Sequence, residues 1–106
     1  MKTLKLVAAV VGVAGLAFVT GKVAAADGAA LYKAKLCHTC HGEAGAAPIM
    51  PVYPKLNGQN PAYTVQQIKD IRDGKRTNGM TAAMKPMVAA VTDEEAQAIA
   101  DYLAAQ

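Results

Sequence analysis

Cys37-His38-Thr39-Cys40-His41 contains both cysteines and both histidines of this 106-residue chain. A disulfide across two intervening residues would close a very small loop and would constrain little of the unfolded chain. A thiol–disulfide exchanger would need a βαβ scaffold, and the sequence shows no alternating strand pattern. A closed zinc site would need a second pair of ligands, which the chain lacks outside this pentapeptide. These three uses of a Cys-x-x-Cys pair therefore fit the sequence poorly.

The spacing Cys-x-x-Cys-His is the recognised signature for covalent attachment of a c-type haem. Two thiols on one turn of chain can reach the two vinyl groups along one porphyrin edge and form thioethers. The next residue, His41, then lies under the iron as its proximal ligand. The pentapeptide therefore predicts one covalent haem c, bound through Cys37, Cys40 and His41, and His38 is interpreted as a spacer.

The residues before Asp27 have the layout of a secretory signal peptide. A short basic start precedes Leu6–Val19, which are uncharged, and the small residues Ala24–Ala26 follow. The apolar stretch rises only about 21 Å as a helix, which is less than a hydrocarbon core of about 30 Å. We expect residues 1–26 to be cleaved and residues 27–106 to be exported to the periplasm without stable membrane insertion. A retained anchor is the alternative.

Charge and size exclude two classes of protein. All eight acidic residues lie from Asp27 onward, where they balance eight of the eleven basic residues. A nucleic-acid binder that depends on a basic surplus is therefore excluded, and the length leaves no room for a separate substrate domain. The chain has no tryptophan, and its single phenylalanine lies in the leader. A domain this small usually needs a staple or a bound group, and a porphyrin would supply the missing large apolar body.

Local signals predict an all-α fold with about three main helices and long loops. Asp27 can cap a first helix that runs to Leu36. In that helix Leu31 or Tyr32, together with Leu36, should face the core. Pro48, Pro51 and Pro54, which come after the pentapeptide, predict an extended strap.

Two further helices have clear start signals. Asn60-Pro61 predicts a helix over Ala62–Asp73, with Asn60 as the cap and proline at the first helical position. Thr92 and Glu95 form a capping-box pattern that opens the last helix. The stretch between them, Lys75–Val91, is predicted to be irregular.

Three methionines in this irregular stretch, Met80, Met84 and Met87, are candidates for the sixth ligand of the iron. A thioether opposite His41 would complete six-coordination and raise the reduction potential. The alternative is that all three fill gaps beside an apolar group, as methionine often does. The residues alone leave the choice open.

The chain resembles class I cytochromes c. It is most similar to small exported bacterial monohaem cytochromes and to one half of their dihaem relatives. The resemblance covers residues 27–106 and rests on Gly28 with Leu31-Tyr32, Cys37–Gly42, Pro54–Gln59, Tyr63–Asn78 and Thr92–Leu103.

This resemblance implies a class I cytochrome c fold, with helices and loops wrapped around one haem. By the family's spacing from the last helix, it implies Met84 as the distal ligand, with Met80 the second choice. It also implies that His41 donates its other ring N–H to the Pro54 carbonyl, and that Tyr32 crosses the last helix.

The expected function is that of a soluble, exported one-electron carrier between respiratory or periplasmic redox partners. We expect a monomer that docks transiently, that binds no nucleic acid and that is not an enzyme. One alternative is a haem-bearing electron-transfer subunit of a larger redox complex. Another is an enzyme or gas sensor with five-coordinate haem. Six cations could guide docking or be ordinary solvated surface: Lys33, Lys35, Lys55, Lys75, Arg76 and Lys85.

Overall fold

The computed structural model describes residues 25–106, so the expected signal peptide lies outside the described residues except for its last two positions. The described part of the chain is helical and contains no strand, which confirms the predicted all-α class. None of its helices combines the length and apolar character needed to cross a bilayer. The five α-helices are α1 (Ala25–Ala34), α2 (His38–His41), α3 (Pro61–Arg72), α4 (Thr81–Val88) and α5 (Asp93–Ala104), with a 3-10 turn at Glu43–Gly45.

Helices α3 and α5 begin where the sequence predicts. The Ala62 N–H donates to Asn60 Oδ1 at 2.9 Å, and Pro61 occupies the first helical position. At α5, the Glu95 N–H donates to Thr92 Oγ1 at 3.1 Å, and the Thr92 N–H donates to Glu95 Oε1 at 3.0 Å. These bonds satisfy backbone donors that the first turn of a helix otherwise leaves without partners.

Replacing Thr92 with valine removes this cap while keeping the shape of the side chain. We expect Thr92→Val to lower the free energy of unfolding by about 1 kcal/mol, the usual contribution of an N-cap oxygen. Chemical denaturation of the haem-loaded protein, followed by far-UV circular dichroism, measures the change.

Thr77→Val is the matched control for this experiment. Thr77 is exposed, lies outside the helices and does not line the cavity. The substitution should change the free energy of unfolding by less than about 0.5 kcal/mol. Equal losses in Thr77→Val and Thr92→Val would show that the capping bonds are not the cause.

The first and last helices cross closely at Gly28. Tyr32, four residues later, is only 1% exposed and packs against Ile99 and Leu103. Its ring centroid lies 5.7 Å from that of Tyr102. Tyr32 thus lies against α5, as the resemblance implies, and the crossing holds the two ends of the domain together.

The stretch Lys75–Val91 is not irregular throughout, so that prediction was wrong for the residues that form α4. This helix contains Pro86, which interrupts helical hydrogen bonding and hides the helix from sequence patterns. Thr81 and Val88 are buried, and Val88 packs against residues of α3. We infer that tertiary packing, rather than intrinsic propensity, stabilises this short helix.

The buried apolar residues form two small clusters rather than one continuous core. We call them the α3–α4 cluster and the α1–α5 cluster, after the helices that supply most of their residues. Both border one cavity of about 470 Å³. The α3–α4 cluster consists of Ile68, Ile71, Val88, Val91 and Ala96, and the α1–α5 cluster of Tyr32, Ile99 and Leu103.

Candidate functional site

The chain enters the pentapeptide through a left-handed turn at Leu36, whose φ is 65°. The Cys37 N–H donates to the Tyr32 carbonyl, and the Leu36 N–H donates to the Lys33 carbonyl, both at 3.0 Å. This is a Schellman motif, in which glycine or asparagine normally takes the left-handed position. Leucine is strained there by roughly 1–2 kcal/mol, and its side chain is 49% exposed. Leu36 nevertheless lines the cavity between the helices, so its side chain faces the cavity rather than the packed core.

The turn leads directly into α2, a single helical turn that contains Cys40 and has Cys37 as its N-cap. The His41 N–H donates to the Cys37 carbonyl at 3.0 Å. Residues three apart on a helix share a face, and Cys37 and Cys40 both line the cavity as free thiols. The Thr39 hydroxyl donates to the Leu36 carbonyl at 2.6 Å and braces the turn.

The surroundings of the thiols do not suit thiol exchange or zinc binding. Burial raises the pKa of Cys37 to about 11, whereas an exchange cysteine needs a lowered pKa and an available thiolate. In residues 25–106, no three or more His, Cys, Asp or Glu side chains gather as a possible metal site. These findings agree with the sequence argument against both alternatives.

His41 is buried, with 5% of its surface exposed. Its Nδ1 lies 2.9 Å from the Pro54 carbonyl oxygen. Since a carbonyl can only accept, Nδ1 carries the proton and Nε2 keeps its lone pair for a metal ion. The Tyr53 ring centroid, 6.2 Å from that of His41, adds a tilted ring contact on the same strap. The proline strap thus fixes both the orientation and the tautomer of the imidazole.

The structure brings every predicted site residue to the wall of this cavity. Its lining also includes most residues of the α3–α4 cluster and of the α1–α5 cluster. The predicted residues that line it are Cys37, Cys40, His41, Pro54, Met80, Met84 and Met87.

The three candidate methionines differ in how firmly they are held. Met84 is partly buried and packs against the α3–α4 cluster. Met80 and Met87 are 51% and 44% exposed. Met84 is therefore the methionine whose position is set by packing.

The residues present fit a c-type haem. Two free thiols and a buried imidazole with an available Nε2 lie at one side of an apolar cavity, and thioether sulfurs are also in its wall. Sulfur and imidazole are the donor types that hold haem in proteins. A porphyrin needs broad apolar walls, and the two clusters supply them.

Sequence reasoning named Arg76 only among six cations that could guide docking, and did not single out Gln67 and Asn78, which line the cavity with it. A turn at the end of α3 brings Arg76 and Asn78 there, since the Lys75 and Arg76 N–H groups both donate to the Asp70 carbonyl, at 2.8 and 3.0 Å. Glycine after a predicted helix is the signal for such a reversal, and Gly74 has a φ of 80°.

Comparisons with known proteins agree with this site. The family model described as "Cytochrome C oxidase, cbb3-type, subunit III" matches residues 23–103. Cytochrome c-553 of Nitratidesulfovibrio vulgaris is 39% identical over 90 residues, which cover 85% of this chain and 86% of that protein. Cytochrome c4 of Pseudomonas aeruginosa is 39% identical over 95 residues, which cover 90% of this chain but 43% of that protein.

A solved structure shows the same fold. Reduced recombinant cytochrome c4 from Pseudomonas stutzeri superposes with a TM-score of 0.58 at 36% sequence identity. The match covers 64% of this chain and 36% of that one. The chain therefore spans less than half the length of the cytochrome c4 relatives that it matches.

Proposed function

The chain belongs to the class I cytochrome c family, and we propose that residues 27–106 act as an exported, periplasmic one-electron carrier. Electron transfer and one covalent haem c come with this family membership. The observation that carries the proposal is the buried His41, fixed by Pro54, in the same cavity wall as both thiols and Met84.

Each site residue has a defined role in this proposal. Cys37 and Cys40 would hold the haem through thioethers, and His41 Nε2 would bind its iron. The Nδ1–H bond to Pro54 keeps the imidazole in place as the oxidation state changes. The bound haem supplies reversible one-electron chemistry.

Met84 is proposed as the distal ligand. Its contact with the α3–α4 cluster supports this choice, because a side chain already held by packing loses little entropy on binding. Met80 and Met87 are more exposed and would have to be ordered first. If His41 and Met84 both bound the iron, no coordination position would be left for dioxygen or peroxide, so we propose a carrier and not an enzyme.

Transient docking to redox partners is part of the proposal. Fewer free cations are available to guide this docking than the sequence suggests. Lys33 pairs with Glu43 at 3.0 Å, and Lys35 pairs with Glu95 at 3.6 Å. Neutralised lysines contribute little long-range attraction. Lys55, Lys75, Arg76 and Lys85 are in none of the ion pairs of the described residues. We therefore expect partner association to depend on ionic strength, but less than six free cations would require.

The spectrum of the purified protein tests the carrier function and the Met84 assignment together. The ferric wild type should show the weak band at the red end that reports sulfur–iron bonding, and its ferrous form should not bind carbon monoxide rapidly at neutral pH. We expect Met84→Ala to lose the band completely and to bind carbon monoxide, because it opens one axial position.

Met80→Ala and Met87→Ala are the controls, and both should keep the band. A band that persists in Met84→Ala but disappears in Met80→Ala would make Met80 the ligand. Rapid carbon monoxide binding by the wild type would contradict the carrier function and favour a five-coordinate enzyme or sensor.

A second candidate function is an electron-transfer subunit of a larger redox complex. The matching family model, which is described as an oxidase subunit, favours it. Purification under mild conditions distinguishes the two. A carrier should be recovered alone and monomeric from the periplasmic fraction, whereas a subunit should remain with its complex.

A further inference from the structure

Leu36 has a backbone conformation that leucine rarely adopts. Its φ of 65° is in the left-handed region, and Ala44 is the only other non-glycine residue of the described chain with a positive φ. In this region a β-carbon comes too close to the following carbonyl oxygen, so glycine normally takes such positions. Strain of this kind persists only where the surrounding structure imposes it, and it is concentrated at functional sites.

Hydrogen bonds on both sides of Leu36 impose this conformation. Its N–H donates to the Lys33 carbonyl at 3.0 Å, and its carbonyl accepts from the Thr39 N–H at 3.2 Å and from the Thr39 hydroxyl at 2.6 Å. The next residue, Cys37, donates its N–H to the Tyr32 carbonyl at 3.0 Å. The direction in which the Leu36 side chain leaves the backbone is therefore fixed.

The packed core does not account for a leucine at this position. Leu36 belongs neither to the α3–α4 cluster nor to the α1–α5 cluster, and 49% of its surface is exposed. It lines the cavity, however, and so does the adjacent Cys37. Glycine would fit the turn without strain, so the contact that favours leucine is on the cavity side.

We propose that Leu36 covers the haem edge next to the Cys37 thioether and keeps water away from it. This inference rests on the proposed function, since the edge belongs to the haem c of this site. The haem-binding pentapeptide begins at the next residue, so the Leu36 side chain has a fixed direction relative to the thiols. An apolar cover limits solvent access to a haem and so favours the ferrous form, which has one positive charge less than the ferric form.

Leu36→Asn tests this cover through the reduction potential. Asparagine is one of the few residues that adopt the left-handed conformation readily, so the turn should be kept. Its polar side chain would bring water to the haem edge. At a fixed ambient potential we expect the ferrous-to-ferric ratio to fall about twofold or more, where twofold corresponds to about 18 mV for a one-electron couple. The denaturant midpoint of the haem-loaded protein should change little, because relief of strain offsets the lost apolar contact.

Two further variants separate the cover from other effects. Leu36→Met keeps an apolar side chain at the same position and should keep the wild-type ratio. Ile49→Asn is the matched control, since Ile49 is also an exposed aliphatic residue, at 66%, but does not line the cavity. It should leave the ratio unchanged. Equal falls in Leu36→Asn and Ile49→Asn, or a wild-type ratio in Leu36→Asn, would overturn the proposal.

A second measurement uses the wild type and does not depend on any variant. In the ferrous haem-loaded protein, NMR should show a nuclear Overhauser effect between the Leu36 methyl protons and protons on the haem edge that carries the thioethers. Its absence would overturn the proposal. Failure of the proposed function would look different, because the haem would then be missing or would bind carbon monoxide rapidly. A carrier with normal covalent haem and a normal red band, but without this contact, would contradict only the role of Leu36.

Discussion

Replacement of both Cys37 and Cys40 by alanine should leave a haem-free chain without stable tertiary structure. The two apolar clusters are small, and nearly all of their residues also line the cavity that the haem would fill. Without the haem, the mainly apolar lining of this cavity of about 470 Å³ would be in contact with water, whereas full burial of a large apolar side chain contributes about 1.5–3 kcal/mol. The whole free energy of unfolding of a domain is about 5–15 kcal/mol. The polypeptide alone therefore lacks the stability to keep the cavity open.

Far-UV circular dichroism and a two-dimensional amide NMR spectrum of the haem-free double variant measure the effect. We expect low helicity and poorly dispersed amide signals. Cys37→Ala alone is the control, because the remaining thioether at Cys40 should hold the haem and the fold. A well-dispersed spectrum from the haem-free chain would contradict the prediction and would mean that the clusters are sufficient without the haem.

The features that could be predicted from the sequence depend on residues close together in the chain. The haem-binding pentapeptide lies within five residues, and the Asn60 and Thr92 caps act within three. Their chemistry is local, so neither the rest of the fold nor the cofactor is needed to recognise them. Two of the three long helices, α3 and α5, followed from these signals. The prediction that Asp27 caps the first helix was wrong, because α1 runs from Ala25 to Ala34 and contains Asp27 in its first turn.

The features that the sequence did not predict depend on distant contacts. Helix α4 forms because its apolar side packs on α3, and the Lys85 ammonium donates to the Arg72 carbonyl at 3.0 Å. Leu36 lines the cavity instead of packing in the core, because the Schellman motif after α1 sets its backbone. Arg76 reaches the cavity only through the chain reversal at Gly74. Each outcome is decided by tertiary geometry, which local patterns do not contain.

Gly28→Ala should lower the free energy of unfolding by at least about 3 kcal/mol, the upper end of the usual cost of overpacking. A β-carbon at Gly28 would overlap the Ala98 carbonyl oxygen and would lie 2.8 Å from Tyr102 Cβ. The overlap is with the backbone of α5, so no change of side-chain rotamer relieves it, and the two helices must move apart. That movement would weaken the contacts of Tyr32 in the α1–α5 cluster, and its hydroxyl could lose the 2.7 Å bond to the Gly42 carbonyl.

Helix propensity alone predicts that Gly28→Ala raises the free energy of unfolding, so the sign of the measured change distinguishes the two effects. In a helix interior alanine is favoured over glycine by about 1 kcal/mol, so without the close crossing the variant would be more stable than the wild type. Ala30→Gly, the reverse exchange at an exposed position of α1, isolates the propensity contribution and should cost only about 1 kcal/mol. Denaturant unfolding of the three haem-loaded proteins gives both differences. A Gly28→Ala variant at least as stable as the wild type would show that the α1–α5 crossing can widen without loss, and that its close approach does not hold the two ends of the domain together.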